Sequence, residues 1–182
     1  MQKRNFKILV ASIIICISIF WLTLYAFIII EPSKNIFVGE DVVVVTIKGN
    51  VNRELELTVS DIKSNKYQQV MDRTFHIVNA IGREYDLIFS GASLWSIFEE
   101  EDILNPGSST FFLMGGDGYN AETPLPISLA QNFTEQIILA YEQDGQPIFF
   151  DGPIVSVIDH IVIPDKANTH YMIKYLKTIL IQ

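Results

Sequence analysis

The sequence predicts an α+β domain, mainly β, with mixed or antiparallel sheets and a few short helices, preceded by one N-terminal transmembrane helix. Three observations predict it. Residues 8–30 form a run of 23 without a charge. After it, short β-branched and aromatic runs recur, divided by Gly, Pro, Asn and Asp pairs. Helical spacing of apolar residues persists for only a turn or two at a time.

Only Ser12, Ser18 and Thr23 interrupt the aliphatic and aromatic side chains of residues 8–30. At about 1.5 Å per residue the run is roughly 34 Å long, enough for a hydrocarbon core of about 30 Å. It has no polar face, as a buried core helix of that length would. It exceeds the roughly 7–15 residues of a signal-peptide core, and its exit, Tyr25-Ala26-Phe27-Ile28-Ile29-Ile30-Glu31-Pro32, carries no small-residue cleavage pattern. The reading is a retained signal anchor. Lys3, Arg4 and Lys7 keep the N-terminus cytoplasmic, so the rest of this single-pass chain is extracytoplasmic. Residues 1–30 are tip and anchor, 31–41 a linker, and 42–182 one domain of ordinary size. Cys16, inside the span, is an apolar filler, and the exported part has no thiol.

Residues 41–48 are β-branched and read as a strand, ending in a turn at Gly49-Asn50. Leu55, Leu57 and Val59 then alternate with polar residues, the period of a half-buried strand. Ser60-Asp61-Ile62-Lys63 opens a short helix capped by Thr58 or Ser60. Residues 70–81 and 84–89 form a hairpin around Gly82-Arg83. Leu94, Ile97 and Phe98 share one helical face, beside which Trp95 is a core residue. A loop at Asn105-Pro106-Gly107 precedes a strand at 110–114 and the glycine-rich stretch Gly115-Gly116-Asp117-Gly118-Tyr119. Residues 137–141 pair with 148–150 across Asp144-Gly145, a pair suited to positive φ. Strands at 154–163 and 172–181, divided at Pro164-Asp165, complete the chain.

Composition excludes several function classes. After position 30 stand 10 basic and 21 acidic residues, a net of −11, so nucleic acid is not a partner. Between Arg83 and Lys166 there is no Lys or Arg but fourteen acids, a surface that repels phosphorylated ligands. One cysteine rules out a disulfide framework and a cysteine-built metal site.

No catalytic signature is present. His76, His160 and His170 are isolated, and His76 lies in an alternating strand as a surface or satisfied residue. Ser90-Gly91-Ala92-Ser93 is no nucleophile elbow, and Gly115-Gly116-Asp117-Gly118 lacks the spacing of a phosphate loop. Glu99-Glu100-Glu101-Asp102, at a helix C-terminus, reads as a solvated face that opposes the dipole. Asp117, Asn120 and Glu122 are oxygen ligands in one loop, off the calcium-loop spacing. Asn132-Phe133-Thr134 is a glycosylation sequon.

The back half carries an ordered set of motifs. Asp117-Gly118-Tyr119 is followed by Pro124-Leu125-Pro126, then Ile138-Leu139-Ala140-Tyr141-Glu142 and Asp144-Gly145-Gln146-Pro147-Ile148. Gly152-Pro153-Ile154 and Ile173-Lys174-Tyr175-Leu176 come after. The front half adds Gly49-x-Val51, Leu57-Thr58-Val59-x-Asp61-Ile62 and Phe89-Ser90-Gly91-Ala92-Ser93-Leu94. Together, over residues 42–182, these resemble the sulfite-oxidase-type molybdopterin-binding domain. The resemblance implies that fold, and it implies that Tyr119, Lys174 and Asp117 stand where the family binds its cofactor.

Two departures accompany it. The family's molybdenum is held by a cysteine thiolate; the corresponding region reads Phe75-His76-Ile77-Val78-Asn79-Ala80, with no soft sulfur ligand. The arginine that follows Gly-Pro-Leu in the family is replaced by Val155 or Ser156. The expectation is therefore no catalytic residue, no metal ligand and no cofactor. The domain would be a ligand-binding or accessory module, attached to the membrane and working with a membrane or extracytoplasmic protein partner. The alternative is a molybdopterin-dependent oxidoreductase with atypical metal ligation.

Overall fold

The computed structural model describes Gly39 and residues 41–182. The expected anchor at 8–30, and the linker apart from Gly39 and Asp41, lie outside the described residues. Among the described residues, no helix is long and apolar enough to cross a membrane.

Two five-stranded sheets make up the domain. The first has the order β2-β1-β10-β5-β6, built from β1 (Val43–Gly49), β2 (Leu55–Thr58), β5 (Thr110–Gly115), β6 (Leu125–Pro126) and β10 (Leu176–Ile181). It is mixed, because β1 and β10 run parallel while every other neighbour is antiparallel. The second sheet is wholly antiparallel: β3 (Gln69–Val78), β4 (Glu84–Ser93), β7 (Ile137–Gln143) and β8 (Gln146–Pro147), with β9 (Val155–Ile158) also on β7. The class read from the sequence, mainly β with mixed and antiparallel sheets and few short helices, is the class observed.

Strand β7 explains how the sheets share a core. Every residue of Ile137-Ile138-Leu139-Ala140-Tyr141 is buried, which a strand covered on both faces requires. Ile137, Leu139 and Tyr141 enter the main core with Ile47, Leu57, Phe111 and Ile179. Ile138 and Ala140 enter a second cluster with Phe75, Ile77, Phe89 and Val157.

The helices are short, and the first two are capped by a side chain. Helix α1 (Val59–Ile62) begins at Thr58, whose hydroxyl accepts the Asp61 N–H at 3.0 Å while the Asp61 carboxylate accepts the Thr58 N–H at 2.8 Å. That reciprocal pair is a capping box. Helix α2 (Leu94–Glu100) begins at Ser93 and buries Leu94, Ile97 and Phe98 as the spacing predicts, with Trp95 packed half-buried against the core. Helix α3 (Ile127–Asn132) has no side-chain cap bond and too few apolar residues to show a period in the sequence.

Three expected strands are shorter than their apolar runs, the first being 70–81, which ends at Val78 before the turn that leads to β4. The 154–163 run is strand only to Ile158, because its partner β7 begins at Ile137, opposite Ile158. Beyond it, Asp159 caps the 3-10 turn η1 (His160–Val162), its carboxylate accepting the Ile161 N–H. The run from 172 becomes strand at Leu176, because Tyr175 takes φ +50° and breaks the extended path. The second 3-10 turn, η2 (Asn168–Tyr171), precedes it. The hairpin at Asp144-Gly145 keeps both residues at positive φ, but its returning strand is β8, Gln146–Pro147, against Glu142 and Gln143. None of residues 148–150, expected to pair with 137–141, is strand, and Phe149 is half-exposed and Phe150 91% exposed.

Candidate functional site

The site forms where β5 leaves the first sheet and β10 enters it. Gly115 is its pivot. A Cβ there would stand 2.6 Å from the Asp117 carboxylate, 2.8 Å from the Tyr119 carbonyl and 3.0 Å from the Lys174 carbonyl, so only glycine fits. The three residues implied by the resemblance thus converge on one backbone corner. Their side chains do different things. Asp117 Oδ1 accepts the Tyr119 N–H at 3.0 Å and fixes the loop as an Asx turn. The Tyr119 ring is half-exposed. Lys174 extends to Asp151, Nζ to Oδ1 2.9 Å, and its charge is neutralised there.

Beside this corner lies a cleft of about 430 Å³, lined by Val42, Val43, Val44, Gly116, Asp117, Pro153, Tyr175, Leu176 and Lys177. Sequence reasoning missed Val42, Val43, Val44 and Lys177, which belong to no motif. A signal was nevertheless present: Lys177 is one of three cations after Arg83. Two β-bulges open the cleft. Between β1 and β2 the pairing steps from Val43 to Val45 against consecutive partners, which leaves Val44 as the extra residue. Between β10 and β5 it steps from Leu176 to Thr178, which leaves Lys177. A bulge re-aims the extra side chain, and both extra side chains line the cleft.

Tyr175 forms one wall under constraint. Its N–H donates to the Asp151 carbonyl at 2.6 Å and its hydroxyl to the Phe150 carbonyl at 2.5 Å. Its own carbonyl accepts the Gly116 N–H at 2.8 Å. Gly152, at φ +86°, permits this approach, since a Cβ there would lie 2.7 Å from Tyr175 Cα.

The molybdenum cofactor implied by the resemblance does not fit these residues. Phe75 and Ile77 of the expected thiolate segment are fully buried in the second cluster. His76 points to carboxylates, Nδ1 2.9 Å from Asp86 and Nε2 3.4 Å from Glu84, and those bonds raise its pKa. Where the family has arginine, Val155 is buried, and the Ser156 hydroxyl donates to the Tyr171 carbonyl at 2.7 Å while accepting the Ile173 N–H at 2.9 Å. Neither side chain reaches an anion. Among the described residues, no three His, Cys, Asp or Glu side chains are grouped as a metal site requires. Glu122, an oxygen ligand in the same loop as Asp117 and Asn120, is turned to His170 at 3.1 Å.

The acidic run also needs correcting. Glu101 is not solvated: its side chain is 8% exposed and bonded to Arg53, Lys66 and the Tyr67 hydroxyl. Burial pushes its pKa up, but the bonds from Lys66, Tyr67 and Arg53 outweigh that and hold it at about 2. Burial, then the bond to Glu101, raises the Tyr67 phenol.

The chain matches no family model and no curated protein. Among solved structures its fold is similar to that of the sulfane dehydrogenase SoxCD from Paracoccus pantotrophus. The TM-score is 0.60 at 14% identity, over 80% of this chain and 39% of that one. The chain therefore spans about two-fifths of its neighbour's length, and the likeness is one of fold.

Proposed function

We propose that this chain is a membrane-anchored, extracytoplasmic domain that keeps the sulfite-oxidase-type fold without its redox chemistry and serves as a ligand-binding or accessory module. One observation carries the reading. The strand that would present a metal-ligating thiolate places Phe75 and Ile77 in the core and holds His76 against Asp86. Neutralisation of Lys174 by Asp151 supports it, since a phosphate-bearing cofactor needs unpaired cations. The anchor rests on the charge-free run at 8–30 and the basic residues before it. The likeness to a dehydrogenase supports the ancestry of the scaffold.

The test is the molybdenum and pterin content of the full chain, purified from its membrane fraction under mild conditions. Background molybdenum, with no fluorescent pterin after oxidative release, is expected. About one molybdenum per chain would overturn the reading in favour of an oxidoreductase that ligates its metal without protein sulfur. Protease added outside intact cells should remove a C-terminal tag; a protected tag would refute the topology.

A further inference from the structure

We infer that the cleft between β1 and β10 binds a single-chain amphiphile with one negative charge, such as a medium-chain carboxylate. This deepens the ligand-binding reading above and rests on it. The volume, about 430 Å³, falls in the range of small-molecule sites. The lining is mostly apolar, formed by Val42, Val43, Val44, Pro153, Tyr175 and Leu176. The ligand is therefore mostly hydrocarbon.

Its charge follows from the charged groups at hand. Lys177 lines the cleft and has no ion pair among the described residues. Lys174, three residues before it, is taken by Asp151. Asp117, on the same lining, adds a negative charge whose Oδ1 already accepts a backbone N–H. The ammonium of Lys177, unpaired among the described residues, can pair with a single carboxylate, while the Asp117 carboxylate on the same lining opposes a second negative charge. The placement is built into the backbone, because Lys177 and Val44 are the extra residues of two separate bulges. Tyr175, at φ +50°, lines the same cleft two residues before Lys177, and a non-glycine residue held there is the kind of stored strain found at ligand clamps.

The experiment uses the full chain in lipid nanodiscs, with empty nanodiscs titrated in parallel. Sodium octanoate, octan-1-ol, octylamine and octyl phosphate are compared by calorimetric titration and by the shift in melting temperature. Octanoate should bind tightest. Lys177→Gln, at an exposed position, should weaken octanoate about tenfold or more and leave octanol unchanged. Val42→Glu, at a half-exposed lining position, should weaken both. The inference falls if Lys177→Gln binds octanoate like the wild type, or if octanol, octylamine or octyl phosphate binds as tightly as octanoate. Metal content is measured separately, so a molybdenum-loaded chain would refute the earlier reading whichever way these titrations turn out.

Discussion

The carboxamide of Asn168 completes the free edge of β3 at Val78. Its Oδ1 accepts the Val78 N–H at 2.7 Å, and its Nδ2 donates to the His76 carbonyl at 2.8 Å and the Ile158 carbonyl at 2.7 Å. One fully buried side chain from η2 therefore stands in for a missing neighbouring strand and ties β3 to the end of β9. Asp159 does the same less closely, accepting the His76 N–H at 3.4 Å. Exposed strand edges invite pairing with other chains, and this edge is covered by side chains.

Asn168→Ala should lower stability by about 2–4 kcal/mol, because three backbone groups lose their partner in a dry site. Asn168→Asp, nearly identical in shape, should cost about as much, since a carboxylate faces two carbonyls without a proton to donate. Denaturant unfolding reads both. A loss under about 0.5 kcal/mol for either would refute the edge-completing role.

Glu101 gives a pH signature. Its folded pKa, about 2, lies below its ordinary value of 4.5. The network's contribution is therefore complete above about 4.5 and lost as the pH falls towards 2. Glu101→Gln should cost about 1–3 kcal/mol at neutral pH and flatten that acid limb. Equal acid limbs for the wild type and Glu101→Gln, by thermal unfolding across this window, would count against the network.

Gly152→Ala tests the constraint on Tyr175. The new methyl would meet Tyr175 Cα at 2.7 Å with the backbone held at φ +86°. A loss of about 1–3 kcal/mol is expected. Near-UV circular dichroism should change as the Tyr175 ring is displaced, whereas an unaltered spectrum and melting temperature would show that the loop relaxes freely.

Lys174→Ala is the contrasting case. The Lys174–Asp151 pair is solvent-facing, so its removal should change stability by less than about 1 kcal/mol and lose what remains in high salt. A larger loss by denaturant unfolding would mean that Lys174 does more than balance Asp151.

What the sequence determined by itself is the set of features governed by local backbone geometry. The turn at Asp144-Gly145 and the helical face of Leu94, Ile97 and Phe98 follow from turn chemistry and side-chain period, which also narrow the first helix cap to Thr58 or Ser60. The convergence of Asp117, Tyr119 and Lys174 was legible only through motif order, and it is realised by their proximity to Gly115. Tertiary structure decided the rest. Glu101 looks like part of a solvated run until Arg53, 48 positions earlier, is brought against it. Val44 and Lys177 become cleft residues only because pairing register inserts a bulge at each. Asn168 is a polar residue in a polar stretch until β3 presents its open edge. Register and long-range pairing depend on how two distant segments share one core, and a local pattern carries no record of which segment its partner will be.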